Sequence, residues 1–336
     1  VKKLSILLAA ATIVLALVPA DIMADGERAS AIVRTKLSRN LTYADLVGQN
    51  IDILAAYRDG RVDLAVTDAQ LEWLRTRDPM AVVLERTALA APLDLDENLG
   101  LYHTYDELQD ALDSLATEFP SLTRIDTLGT SWEGRWIRAI KISDFAGVDE
   151  DEPEVLILGC HHAREIMSVD VPLLFAQHLL ANYGTSPQVT SLVDTREIWI
   201  APMINPDGHV YVQNNHSAHW GNWWRKNRRD NGGGVYGVDL NRNYSYKWGY
   251  DDVGSSPDPS SIVYRGPSAF SEPETQAVRD FCAERDFVLA LSYHSYGELI
   301  LFPWAYAPLY TTDHDVFNAL GDSLSRGNDY FVGNLA

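Results

Sequence analysis

The sequence predicts an α/β fold with a mixed, mostly parallel sheet flanked by helices, and a small α+β pro-region in front of it. Three observations carry this. Five short apolar runs rich in β-branched residues, TRIDTLG, RWIRAIKIS, EVLILGC, TREIWIAPMI and FVLALSYH, recur between residues 123 and 294. Helical patterns stand between them, above all SVDVPLLFAQHLLANYG, which reads as a long buried helix. The 336 residues, 46% of them hydrophobic, can bury the core of one large domain and one small one.

Taken in order, residues 1–24 read as a signal peptide. Lys2 and Lys3 precede the apolar run from Leu4 to Val18, and small residues offer cleavage after Ala20 or Ala24. That run is 15 residues long, and a spanning helix needs about 20. The expectation is therefore a soluble product that is secreted, extracellular or periplasmic, without a membrane anchor once the signal is removed. Residues 25–92 alternate apolar and polar segments, AIVRTKL, NIDILAAYRDGRVDLAVT, DAQLEWLRTRD and MAVVLER, and read as an α+β pro-region-like segment. The stretch TALAAPLDLDENLG has a connector's composition and leads into a large domain over 93–336.

That domain opens on a capping box, Thr104 with Glu107, followed by Leu108, Leu112 and Leu115 at helical spacing, so a helix runs to about Phe119. Ser271 and Glu274 form a second capping-box pattern with Pro273 in the first turn, heading a helix to about Asp286. Between them Tyr211 to Tyr250 is rich in Asn, Gly, Trp and Arg and reads as a long loop suited to binding. Cys160 and Cys282 read as buried free thiols.

Charge and motifs exclude several functions. With 27 basic and 47 acidic residues the net charge is −20, which repels nucleic acid and anionic membrane. No G-x-S-x-G elbow, P-loop or dinucleotide fingerprint occurs, so serine-hydrolase and nucleotide chemistry are unsupported. His216 and His219 lack acidic or thiol neighbours and read as surface histidines. Trp220, Trp223 and Trp224 read as packing or loop anchors rather than a ligand platform. Asn40, Asn215 and Asn243 stand in N-x-S/T sequons.

The chemistry concentrates in HHARE and LSYHSYG. His162 and Glu165, three apart, face one side of a turn, and His294 follows a strand-like run. Two imidazoles and a carboxylate suit a catalytic zinc, whose fourth position holds a water of lowered pKa. Arg225 in NWWRKNR and Asn241 with Arg242 in VDLNRNY add polar and cationic groups. A guanidinium matches a carboxylate such as a peptide's free C-terminus, or stabilises an oxyanion.

With INPDG at 204–208, WRKNR at 224–228, GVDLNRNY at 237–244 and HSY at 294–296 in the same order and spacing, the chain from about Tyr102 onward resembles the zinc metallocarboxypeptidase family. The resemblance implies one zinc ion held by His162, Glu165 and His294, and Arg225 polarising the scissile carbonyl. It assigns the terminal carboxylate to Asn241 and Arg242, and upstream subsites to Arg164, Ser295 and Tyr296. The partners would be peptide or protein C-termini, bound by a monomer.

The family also uses a general-base glutamate and a substrate tyrosine well downstream of the third ligand, positions expected beyond Ala336. With Val1 where an initiating methionine is expected, the chain reads as C-terminally incomplete, and as inactive if Ala336 were its true end. Glu298 lies four positions after His294, a segment from which the family does not draw its base. The alternatives are a cell-wall peptide carboxypeptidase, a deacylase using the same zinc site, and a non-catalytic peptide-binding relative. Deacylases need not grip a carboxylate through an Asn-Arg pair, so Asn241 and Arg242 favour the peptidase.

Overall fold

The computed structural model describes residues 23–24, 27–28, 31–42, 45–46, 49, 51–56, 60–86, 99, 102–215, 224–295, 297–328 and 330–334. The signal-peptide segment and the connector thus fall almost wholly outside the described residues. The chain divides into two compact units. One is drawn chiefly from Ala9–Asp94, Gly249–Pro257 and Ser295–Ala336, the other from Leu95–Trp248 and Asp258–His294.

In the first unit, a short pair, β1 (Met23–Ala24) and β2 (Glu27–Arg28), precedes β3 (Ala31–Lys36), β4 (Asp52–Ala56) and β5 (Arg61–Val66). Helix α1 (Asp68–Arg77) and β6 (Val82–Arg86) follow. The four longer strands form an antiparallel sheet in the order β4-β5-β3-β6. Thr67 caps α1, accepting from the Gln70 amide while the Gln70 side chain accepts from the Thr67 amide. Leu71 and Leu74 then fall on the buried side of α1, in one core with Val33, Val62 and Leu64. One helix packed on an antiparallel sheet makes this part of the unit α+β.

The second unit begins with α2 (Tyr105–Glu118), whose Thr104–Glu107 capping box forms as the sequence implies and whose Leu108, Leu112 and Leu115 are buried. Then come β7 (Thr123–Thr130), β8 (Trp136–Ile142), β9 (Glu154–Leu158), α3 (Met167–Asn182), α4 (Pro187–Val193) and β10 (Glu197–Ala201). Helices α5 (Pro206–Asn215) and α6 (Pro273–Ala283) and strand β11 (Phe287–Ser292) complete it. The strands make one five-stranded sheet in the order β11-β9-β10-β8-β7.

Strand alternation feeds two cores. Ile140, Ile142, Ile157, Ile198 and Ile200 pack on one face with Leu108, Leu112 and Leu173. Ile137, Ala139, Leu156, Leu158, Trp199 and Ala201 pack on the other with Val278 and Phe281 of α6. The sheet is mixed as expected, but β9 pairs in parallel with β10 and β11 while β10-β8 and β8-β7 are antiparallel. Its parallel share among the described residues is therefore half rather than most.

Three further expectations are corrected. The Ser271–Glu274 box does not form: α6 has no side-chain cap, because Glu274 is fully buried and accepts from Asn227, and Ser271 donates to Glu272 instead. The helix also stops at Ala283, short of Asp286, where Arg285 turns to lie over the Trp199 ring, 4.4 Å from its centroid. The loop predicted from Tyr211 starts later, since Tyr211–Asn215 continue α5, a helix whose Gly208 amide donates to the Asn205 side chain.

Beyond His294, β12 (Leu299–Leu301), α7 (His314–Leu324) and β13 (Phe331–Gly333) belong to the first unit, where β12 and β13 pair in parallel and Leu299 joins the core of α1 and β3. Both cysteines are free and buried. Among the described residues no helix is long and apolar enough to cross a membrane.

A candidate metal centre

Strands β9 and β11 are parallel neighbours in register, Leu158 opposite Ser292, so the segments that leave them emerge together at the carboxyl edge of the sheet. One segment is Gly159–Glu165; the other is Tyr293–His294, held by the Tyr293 amide donating to Leu158 O at 2.7 Å. Gly159 is required by close approach: a Cβ there would stand 2.2 Å from Ser168 O and 2.5 Å from Pro202 O. Cys160 then takes a left-handed φ of 53° and starts a tight turn. The Glu165 amide closes that turn on His162 O, the Ala163 amide donates to Arg225 O, and the Asn205 side chain donates to His161 O.

The turn brings His162 and Glu165 against His294, all three buried, with donor atoms within 4.8 Å of one another. Glu165 Oε1 lies 2.7 Å from His162 Nδ1, and Oε2 lies 2.8 Å from His294 Nδ1. The two Nδ1 atoms face each other at 3.1 Å. Ring nitrogens that close need a shared electrophile between them, a proton or a metal ion, so the donor set fits a zinc site of two histidines and one glutamate. Burial works against the Glu165 charge, but His162 and His294 outweigh it and hold the carboxyl well below its usual range.

Behind the ligands, Asp239 has no exposed surface and gathers three parts of the site. Its Oδ1 lies 3.1 Å from His162 Nε2 and accepts the Asn241 amide at 3.0 Å; its Oδ2 accepts Arg225 Nε at 3.0 Å. Burial opposes its charge too, yet Arg225, His162 and Arg242 keep it ionised. A carboxylate on the far nitrogen of a liganding histidine fixes the ring and its tautomer. Asp239 also caps the short 3₁₀ turn Leu240–Arg242, so the residue that orients His162 places Asn241 and Arg242. Arg225 itself reaches 4.0 Å from Glu165 Oε1.

The zinc carboxypeptidase family model matches residues 108–333. The chain belongs to that family. It is 36% identical over 209 residues to carboxypeptidase B of Astacus astacus, covering 61% of this chain and 65% of that one. It is 33% identical over 297 residues to a zinc carboxypeptidase of Saccharothrix mutabilis subsp. capreolus, covering 81% and 64%. The chain thus spans just under two thirds of each of these curated relatives. Carboxypeptidase A from Helicoverpa armigera superposes with a TM-score of 0.74 at 26% identity, covering 91% of this chain and 81% of that chain.

In this zinc carboxypeptidase family member the fold brings together His162, Glu165, His294 and Arg225. Arg242, half-buried in the same unit, feels the charges of Asp239, Arg225 and Glu165. Arg164 sits in the turn between His162 and Glu165, and Ser295 directly follows His294. Tyr296, His216, His219, Trp220 and Trp223 lie outside the described residues. Trp224 anchors the loop, its Nε1 donating to Asn227 O at 3.1 Å. Asn243 is buried, its amide nitrogen donating to Arg265 O and Ser268 O, which leaves it inaccessible to a glycan.

Sequence reasoning missed Asp239 and His161. Asp239 stands inside the quoted motif GVDLNRNY, but its partner His162 lies 77 positions away, and no spacing rule links them.

Proposed function

We propose that this chain is most of a secreted zinc-dependent metallocarboxypeptidase that removes the C-terminal residue of peptides or proteins, with residues 25–92 as its pro-region. The observation that carries the reading is the convergence of His162, Glu165 and His294 beside Arg225, with Asn241 and Arg242 on the turn capped by Asp239. The signal-peptide pattern read in the sequence of residues 1–24 supports secretion.

When bound, zinc supplies a water whose pKa falls from ~15.7 toward about 7 and polarises a carbonyl oxygen. The chain's own residues do the rest. Two neutral imidazoles and one carboxylate leave the ion's net charge positive, and Asp239 keeps the His162 ring in the tautomer that offers Nδ1. Arg225, 4.0 Å from Glu165, places a fixed cation where a carbonyl oxygen gains charge. Asn241 and Arg242 receive the substrate's terminal carboxylate through charge-assisted hydrogen bonds. The pairing of cation and carboxylate makes the substrate a free C-terminus rather than an amide.

The test is turnover of a peptide with a free C-terminus against the same peptide amidated, using the full-length, zinc-loaded protein. The reading expects release of the last residue from the free peptide only. Equal inertness of both, or equal cleavage, would overturn it.

A further inference from the structure

We propose that His161 is a positioning residue for the metal centre, acting with Ser292 to fix the tautomer and ring orientation of His294. The proposal rests on the reading of His162, Glu165 and His294 as the zinc ligands. His161 is 2% exposed, and side chains meet both of its ring nitrogens. Its Nδ1 lies 3.2 Å from Ser292 Oγ, and its Nε2 lies 2.7 Å from the Tyr244 hydroxyl. Ser292 Oγ lies in turn 3.3 Å from His294 Nε2, the nitrogen that faces away from the ligand cluster. The His161 and His294 rings stack at 5.8 Å with 23° between their planes.

Hydrogen-bond arithmetic along this chain allows one useful proton order. For His294 to offer Nδ1 to an ion, its Nε2 must carry the proton and donate to Ser292 Oγ. The single Ser292 proton then finds its acceptor in His161 Nδ1, the hydroxyl's other partner, so His161 carries its proton on Nε2 and donates to Tyr244. Without an acceptor at 161, the Ser292 hydroxyl turns to donate to His294 Nε2. That moves the His294 proton to Nδ1, the position the metal needs. The two histidine ligands are thus held differently, His162 by the Asp239 carboxylate and His294 by a neutral hydroxyl and imidazole.

The experiment compares zinc affinity of the full chain with that of His161→Leu, His161→Asn, Ser292→Ala and the double variant His161→Leu with Ser292→Ala. Affinity is read by competition with a chromophoric chelator; cobalt(II) absorption and the melting point of metal-free protein are read alongside. His161→Leu should weaken zinc about 10- to 100-fold and change the cobalt spectrum, since partners behind the ligands carry effects of that size. His161→Asn, whose side-chain oxygen can accept from Ser292, should stay within about threefold of the parent on the same scale. The double variant should match Ser292→Ala alone, because the harm in His161→Leu passes through the Ser292 hydroxyl.

An unchanged affinity in His161→Leu would overturn the proposal, as would equal losses in His161→Asn and His161→Leu, or a multiplied loss in the double variant. A fall in metal-free melting point that accounts for the lost affinity would assign His161 to packing and overturn it too. Zinc binding that survives His294→Ala overturns the ligand reading and the proposal together. Zinc binding that needs His294 but no acceptor at 161 overturns the proposal alone.

Discussion

Replacing Asp239 by Asn keeps the shape of a fully buried side chain and removes only its charge and its second acceptor oxygen. The carboxylate accepts from Arg225 through Oδ2 and receives His162 Nε2 and the Asn241 amide at Oδ1. An amide can present one oxygen. If that oxygen faces Arg225, the NH₂ group points at the Nε2–H that zinc-bound His162 must carry; if it faces His162, the half-buried guanidinium meets N–H groups.

Either way one charge-assisted hydrogen bond is lost, about 1.5–3 kcal/mol, and the ring of a ligand loses its anchor. The expected result is zinc affinity lower by about 10- to 100-fold, with metal-free stability reduced by roughly 1–3 kcal/mol. Asp239→Ala, which leaves Arg225 only the Glu165 carboxylate at 4.0 Å, should cost roughly 3–5 kcal/mol. Chelator competition reads the first quantity and denaturant unfolding of metal-free protein the others. Asp239→Asn with parental zinc affinity would refute the claim that this carboxylate fixes the His162 ligand.

Three other outcomes follow from the same geometry. Gly159→Ala should destabilise by roughly 1–3 kcal/mol or more and loosen the metal turn, because its Cβ meets two backbone oxygens; an unchanged unfolding midpoint would contradict this. Arg225→Gln should lower kcat for a free-C-terminal peptide by about 10²–10³, and unimpaired kcat would remove the arginine from the chemistry. Glu274 is pushed from 4.5 up to about 8 by burial, with Glu272 adding to it. The folded state therefore holds its proton more tightly than the unfolded chain, and that stability is full below 4.5 and lost as pH rises to about 8. Stability measured against pH should fall more steeply over that window for the parent than for Glu274→Gln, and parallel curves would show that Glu274 does not titrate there.

Local signals in this chain read well and long-range ones do not. Strands β7 to β11 were legible because Ile, Val and Leu alternate with a period matching two buried faces, and α2 because Thr104 and Glu107 act on each other within one turn. The Ser271–Glu274 pattern failed for the converse reason: Asn227, from another part of the chain, claims the Glu274 carboxyl, and tertiary burial overrode the local cap. The half share of antiparallel pairing was invisible because strand order is settled by contacts between β10 and β8, far apart in sequence. His162, Glu165, His294 and Arg225 could be named since ligand chemistry restricts residue type. Asp239 and His161 could not, since a buried carboxylate or histidine serves many structural ends, and only the fold shows which nitrogen or oxygen it faces.

The most direct test of the central claim, that the turn after β9 and the end of β11 form one zinc site, is metal content. Elemental analysis of purified chain dialysed against trace zinc should find about one ion per chain, lost in His162→Ala, Glu165→Ala and His294→Ala and retained in Cys160→Ala. Zinc retained in all three ligand variants, or lost only with Cys160, would contradict the account.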